Sequence, residues 1–388
     1  MTKFDDIRPY HDDEVKKVVQ ELLADIDFLD FLGRYHSPRL SRYVPDLVRF
    51  FVRRFLKGQL GSVASVREFQ QMISSYAKRI VETTMTEFVF KGIGSLQSDE
   101  GYLYVGNHRD IAGDSMLVDY ALWLSEHDTV RIAVGDNLIQ RKFATDIMRL
   151  NKSFFIRRSE EGAKKVYAAL LQSSEYIHQS IDEKQSIWIA QSEGRAKDGL
   201  DNTDPAIVKM FALAKRKEPL ANTVACLNII PVSISYEFDP CDCLKAKERY
   251  AIETDGSYDK PSGEDLLSLV KGLGEFKGRV HLNFGEKIQG DFESAEEVAN
   301  ALDRQILENY QLYQINYWAL KLLAQQDSSG PFYDTWQALG GSVKFSDTSE
   351  YEKRMETCEE AWRRKWLEMY ANPVVNKHMS RSSHLTPI

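Results

Sequence analysis

Apolar positions in the first 85 residues recur at helical spacing. Val18, Leu22, Leu23, Ile26 and Leu29 form one stripe, and Val44, Leu47, Val48, Phe51 and Phe55 form another, so the region 1–85 reads as amphipathic helices. From residue 86 the pattern changes to short β-rich runs at 88–90, 102–105, 130–134, 154–156, 187–190, 229–235 and 280–284. Helical stretches such as 161–181 and 205–217 separate them. This alternation predicts an α/β domain over 86–290, a mixed, mostly parallel sheet with helices on both faces. Helical spacing returns through about Gln326, then over 333–339 and 350–370, giving a C-terminal helical region, 291–388. Tyr310, Tyr313, Tyr317 and Trp318 fall at helical spacing there and read as core. The charged stretch 239–263 reads as a surface insertion, and the polar stretch 376–388 as loose.

Composition narrows the possibilities. The chain has 388 residues, 43% hydrophobic and 28% charged, which excludes wholesale disorder and low-complexity repeats. No run approaches the roughly 20 apolar residues of a bilayer-crossing helix, so any work on lipid is expected at the membrane surface. The opening MTKFDDIRPYHDDEVKK has no apolar run behind its lysine, and no secretory signal is expected. A net charge of -8 argues against a nucleic-acid partner, whose binding rests on neutralised phosphates. Four cysteines (Cys226, Cys241, Cys243 and Cys358) make a disulfide scaffold an unfavoured reading and point to a reducing, cytoplasmic compartment. No metal centre is expected, because Cys241-Asp-Cys243 lacks a second ligand pair and His281 stands in a strand without a partner.

Charge is segregated along the N-terminal region. Residues 34–57 hold seven bases (Arg34, Arg39, Arg42, Arg49, Arg53, Arg54 and Lys57) against Asp46, whereas the first thirty residues hold nine acids and four bases. A basic helix with phenylalanines on one face can lie in a lipid headgroup layer. The same face can equally pack into the helical region around it. Both readings stand at this level.

The densest chemistry lies in 102–115, YLYVGNHRDIAGDS. An apolar strand runs into Gly106-Asn107-His108, so His108 sits at the C-terminal end of a strand, where α/β sheets bind ligands. Asp110 and Asp114 follow, and either could fix the tautomer of a histidine acting as a base. The triplet His108-Arg109-Asp110 is not a kinase catalytic loop. That loop needs an asparagine where Ser115 stands, and no Asp-Phe-Gly or glycine-rich loop accompanies it. Nor is Gly106-Asn107-His108 a dinuclear phosphatase motif, since neither His11 nor His36 supplies an upstream Asp-x-His. A loop histidine capping a helix is the plainer alternative.

Later segments favour the catalytic reading. Asn107-His108 with a nearby aspartate, Phe154-Phe155-Ile156-Arg157-Arg158, Gln191-Ser192-Glu193-Gly194-Arg195 and Ile230-Pro231-Val232 occur in this order, each at a strand end, and Gly285-Glu286 closes the set. Together they resemble the blocks of the glycerol-3-phosphate/1-acylglycerol-3-phosphate acyltransferase family. Three departures mark a divergent branch. Five residues separate His108 from Asp114 where the family usually has four, Lys152 replaces a glycine, and Gln191-Ser192 replaces Phe-Pro.

The resemblance implies fatty acyl transfer from acyl-coenzyme A or acyl carrier protein, as co-substrate rather than cofactor, to the hydroxyl of glycerol 3-phosphate or its monoacyl derivative. His108 would be the base and Asp114, or else Asp110, its partner. The acceptor attacks the thioester directly, so Ser115 and Ser192 are not assigned as nucleophiles, and backbone amides near the motif would meet the oxyanion. Arginine forks suit a phosphate. Arg157 and Arg158 leave a strand on opposite faces, and the family position favours Arg158. Arg195 is the second candidate, with Glu193 to orient it and Gly194 to let backbone approach a ligand closely. Arg109 reads equally as a phosphate ligand or a solvated charge. A further basic cluster, Arg141, Lys142, Arg149, Lys152, Arg157 and Arg158, would suit an anionic substrate. The expected protein is therefore a cytoplasmic or peripheral O-acyltransferase at the anionic inner face of a membrane. Its rivals are acylation of another lyso-lipid or aminolipid, and a non-catalytic lipid-binding protein.

Overall fold

All seven β-rich runs become strands of one sheet. The computed structural model describes residues 3–136, 141–261, 263–341 and 343–383. Five helices come first: α1 (Asp12–Ala24), α2 (Ile26–His36), α3 (Pro38–Tyr43), α4 (Pro45–Leu60) and α5 (Val66–Thr84). Then β1 (Met85–Lys91) and β2 (Leu103–Gly106) lead to α6 (Gly113–Leu124), β3 (Arg131–Gly135), α7 (Lys142–Leu150) and β4 (Ser153–Ile156). Next come α8 (Ala163–Asp182), β5 (Ile187–Ala190), α9 (Pro205–Ala212), α10 (Leu220–Cys226) and β6 (Ile229–Tyr236). After these, α11 (Asp242–Asp255) and α12 (Glu264–Gly274) precede β7 (Gly278–Phe284). The chain ends with α13 (Ala295–Asn309), α14 (Gln314–Gln326), α15 (Pro331–Ala338), α16 (Ser349–Glu356) and α17 (Arg363–Ser383).

The strand order is β1-β7-β6-β2-β5-β3-β4, and only the β6/β7 pair is antiparallel. Strands β2 to β6 therefore all point one way and end along one edge. Alternate side chains feed opposite faces. Leu103, Val105, Ile187 and Ile189 pack against α8, α9 and α13, while Tyr104, Trp188, Ile230 and Val232 pack against α6. Leu117, Val118 and Leu122 of α6 are wholly buried, each contributing roughly 1.5–3 kcal/mol. That burial anchors the helix whose first turn carries Asp114.

The charged stretch 239–263 is no surface insertion. It forms α11, and Asp239, Asp242 and Lys245 are buried because each finds a partner: Lys245 Nζ reaches Asp239 Oδ2 at 2.5 Å and the Arg109 carbonyl at 2.7 Å, and Arg354 binds Asp242 at 2.6 Å. Docking of α11 against the C-terminal helices also joins Cys243 to Cys358 in a disulfide, one cross-link where the cysteine count gave no reason to expect any. Residues 376–383 continue α17 through Pro373 rather than lying loose, and 384–388 fall outside the described residues. Tyr310 and Tyr313 lie between α13 and α14, not on one helix with Trp318, yet all three are buried.

The apolar face of α4 is left open. Only Leu56 and Leu60 are buried, while Leu47, Phe50, Phe51 and Phe55 are 54–60% exposed. The packing alternative read from the sequence is thus corrected: α4 meets α1 and α2 through its other side.

Candidate active site

Strand β2 delivers Asn107 and His108 to the common strand-end edge. Asn107 ties the edge together, its Oδ1 accepting from the Ile234 amide at 2.7 Å and its Nδ2 donating to the Ile234 carbonyl at 3.0 Å and to Asp201 at 3.2 Å. The chain then turns into α6. Asp110 shapes that turn, its Oδ1 accepting from the amides of Ala112 and Gly113 at 3.1 and 2.6 Å. Burial, reinforced by the nearby Asp114 charge, pushes the Asp110 carboxyl up to about 6.

The histidine's partner is Asp114. His108 Nδ1 lies 2.7 Å from Asp114 Oδ2, which also accepts the amides of Arg109 and Asp110 at 2.6 and 2.9 Å. Tyr236, at the end of β6, donates its hydroxyl to Asp114 Oδ1 at 2.8 Å. Four donors on a wholly buried carboxylate fix its orientation. The acceptor at Nδ1 assigns the imidazole hydrogen to that nitrogen and leaves Nε2 with its lone pair. The extra residue in the His108–Asp114 spacing is taken up by the Asp110 turn. Because Asp114 occupies the Arg109 and Asp110 amides, an oxyanion must be met by other donors. The His108 ring rests edge-on to Trp188, 5.6 Å between centroids. Burial first, and the Asp114 charge second, push the Tyr236 phenol well above its ordinary range and keep it a donor.

Arg195 comes to the same place. The amide of Ala196 donates to the His108 carbonyl at 2.8 Å, pinning the loop after β5 beside the histidine, and Arg195 Nη1 is buried without a protein partner among the described residues. Gly194 sits at φ +76 with open space around it, a backbone state that glycine adopts without strain. Arg158 also reaches this loop: its Nη1 lies 3.4 Å from Glu193 Oε2. Glu193 therefore pairs with Arg158 rather than orienting Arg195.

Two arginines lie elsewhere. Arg157, just beyond the end of β4, turns to Asp6 at 2.8 Å. Arg109 is neither a phosphate ligand nor solvated. It is buried, with Asp201 at 2.5 Å and the Tyr310 ring 5.3 Å from its guanidinium. Burial works against the Arg109 charge, but Asp201, Tyr310 and Asp239 together outweigh it and raise its pKa; burial also raises Asp201 despite the neighbouring guanidinium. The basic cluster is largely spent on internal bonds: Lys142 binds Glu21 and Asp146, Arg149 binds the Arg8 and Asp5 carbonyls, and Lys152 binds Thr129. Lys152 stands at φ +57, which explains the family's glycine there. His281, expected to lack a partner, has the Tyr313 hydroxyl 2.8 Å from Nδ1, and Cys241 Sγ donates to the Ser268 carbonyl.

Sequence reasoning missed two features. One is Tyr236, which the strand-edge rule could have flagged, since β6 ends beside β2. The other is a cavity of about 440 Å³ between α5, α6, α7, α12 and β3. Ile73, Ala77, Ile80, Met116, Val134, Ile147, Leu269 and Leu273 line it, and it reaches Ile111 and Ala112, inside the turn between His108 and Asp114. Its walls come from four helices distant in sequence, so no local pattern announces it.

Residues 87–235 match the family model described as Acyltransferase. Among relatives, it is similar to the glycerol-3-phosphate acyltransferase of Baumannia cicadellinicola subsp. Homalodisca coagulata, 28% identical over 196 residues, 48% of this chain. The chain spans only 21% of that protein's length. Among solved structures, it is similar to the 1-acyl-sn-glycerophosphate (LPA) acyltransferase PlsC from Thermotoga maritima, with a TM-score of 0.36 and 14% identity over 75% of this chain and 91% of that one.

Proposed function

We propose that this protein transfers a fatty acyl group from a coenzyme A or acyl carrier protein thioester to the free hydroxyl of glycerol 3-phosphate or 1-acylglycerol 3-phosphate. The observation that carries this reading is an oriented His108–Asp114 pair, 2.7 Å apart, whose intervening turn lends Ile111 and Ala112 to the wall of an apolar cavity of about 440 Å³. His108 Nε2 takes the proton from the acceptor hydroxyl as its oxygen attacks the thioester carbon, and Asp114 stabilises the imidazolium that forms. The thiolate then leaves, and the proton passes from His108 to sulfur. The acyl chain occupies the cavity, where apolar burial supplies binding energy. Arg195, with an unpartnered Nη1 in the loop pinned to His108, and Arg158 hold the acceptor phosphate.

The acceptor's lipid surface fits the open side of α3 and α4. Leu40, Tyr43, Leu47, Phe50, Phe51 and Phe55 are exposed there among the exposed bases Arg39, Arg42, Arg54 and Lys57, a combination that inserts rings beneath anionic headgroups. No described helix is long and apolar enough to cross a membrane.

The test is a panel of glycerol 3-phosphate, 1-acylglycerol 3-phosphate and lyso-aminolipid acceptors, each with both thioester donors, read by lipid mass spectrometry. The expected result is a phosphorylated product that disappears with His108→Ala. Acylation of a non-phosphorylated acceptor alone, or a product undiminished in that variant, overturns the reading.

A further inference from the structure

One wall of the cavity breaks its apolar character. Helix α6 runs along the cavity, presenting Ala112, Met116, Asp119, Tyr120 and Trp123 in succession. Asp119 lies seven residues beyond Ala112, roughly 10 Å farther along the helix at 1.5 Å per residue. Its Oδ1 accepts the Val130 amide at 2.8 Å, and among the described residues no donor reaches Oδ2. Asp119 is partly exposed and lines the cavity. Nearby, Gln70 Oε1 accepts from Thr129 Oγ1 at 2.6 Å and Lys152 Nζ donates to the same hydroxyl at 3.0 Å, while Gln70 Nε2, on the cavity wall, has no partner among the described residues. Ser153, which pairs with Ile132 of β3, and Asn151 also line the cavity, and no side-chain hydrogen bond holds either among the described residues.

Resting on the assignment of this cavity to the acyl chain, we infer that Asp119 selects a fatty acyl chain bearing a hydroxyl well away from the thioester, received between Asp119 Oδ2 and the Ser153–Asn151 wall. A purely hydrocarbon chain reaching this depth displaces water and leaves a buried carboxyl oxygen without a partner, a penalty that a hydroxylated chain avoids. A site built to hydrogen-bond a substrate hydroxyl discriminates strongly against the analogue lacking it. The cation on the neighbouring Lys152 disfavours a basic substituent. Burial pushes the Asp119 carboxyl up to about 7, so near neutrality much of it is a neutral acid able both to give and to accept a hydrogen bond.

The test is competition between octadecanoyl-coenzyme A and its mid-chain hydroxy analogue on glycerol 3-phosphate and 1-acylglycerol 3-phosphate, with products resolved by mass spectrometry. In parallel, the two free fatty acids are titrated calorimetrically into the protein. Wild-type protein should favour the hydroxylated chain at least tenfold in both kcat/KM and affinity. Asp119→Leu should abolish or reverse the preference, and Asp119→Asn, which retains an acceptor for Val130, should keep part of it. Equal use of the two chains, or an Asp119→Leu variant that accepts longer unsubstituted chains with the hydroxyl ratio unchanged, overturns the inference. The titration decides it even where no acyl group is transferred, an outcome that would sink only the enzymatic reading.

Discussion

Asp114 and Asp119 stand five residues apart on one helix, yet their surroundings oppose each other. Asp114 meets four donors at the strand-end edge: an imidazole, two amides and a phenol. Asp119 meets one, the Val130 amide, and faces hydrocarbon. The first is a carboxylate built to hold an acquired proton on a neighbouring ring. The second is a carboxyl whose charge costs stability, pushed up to about 7 by burial. Helix α6 thus carries a reactive end and a recognition surface. What separates them is the supply of donors.

The contrast breaks most visibly at the dyad. His108→Ala should lower kcat by on the order of a thousandfold or more with thermal unfolding little changed. Asp114→Asn should cost a comparable factor and also lower the melting temperature, because Tyr236 and two amides lose a charged acceptor. Equal stability of the two variants would mean that the four bonds to Asp114 are not what orders the turn.

Asp119 should behave in the opposite way. Its folded value lies above the unfolded value of about 3.9, so the folded chain binds more protons between the two. Stability is then lost as pH rises from about 4 to about 7 and levels off above. Asp119→Asn removes that loss. Relative to wild type, the variant should gain on the order of 3 kcal/mol across this window, measured by urea unfolding at about pH 5 and about pH 8. A difference independent of pH would show that Asp119 is better solvated than its position implies.

Smaller effects sharpen the comparison around the dyad. Arg158→Ala should raise KM for glycerol 3-phosphate about tenfold and leave kcat nearly unchanged, since uniform binding is lost without transition-state stabilisation. Tyr236→Phe removes one of four donors and should cost about 1 kcal/mol in unfolding free energy. A much larger loss would make the phenol, rather than the amides, the main support of Asp114.

Much of this architecture was legible along the chain because strands and helices declare themselves by local period. The seven runs, the parallel sheet and the strand-end position of His108 follow from alternation and from the apolar strand before Gly106. The charged 239–263 segment misled because its charges are neutralised by residues as distant as Arg354, and a lone segment shows no partners. Arg109 misled for the same reason: Asp201, the residue that buries it, lies 92 positions away. Arg157 and Arg158 are adjacent and chemically identical. In the folded chain one meets Asp6 and the other Glu193.

The order of elements, the identity of the histidine and the presence of two acidic candidates beside it are properties of the chain read by itself, since each depends on neighbours within a few residues. Which aspartate holds the imidazole, which arginines stay free for an anion, and the existence of a cavity with a carboxyl in its wall were decided only in three dimensions. Those features depend on hydrogen-bond donors and apolar walls contributed by segments tens to hundreds of residues apart, and the free energy of a buried charge is set by the groups that surround it.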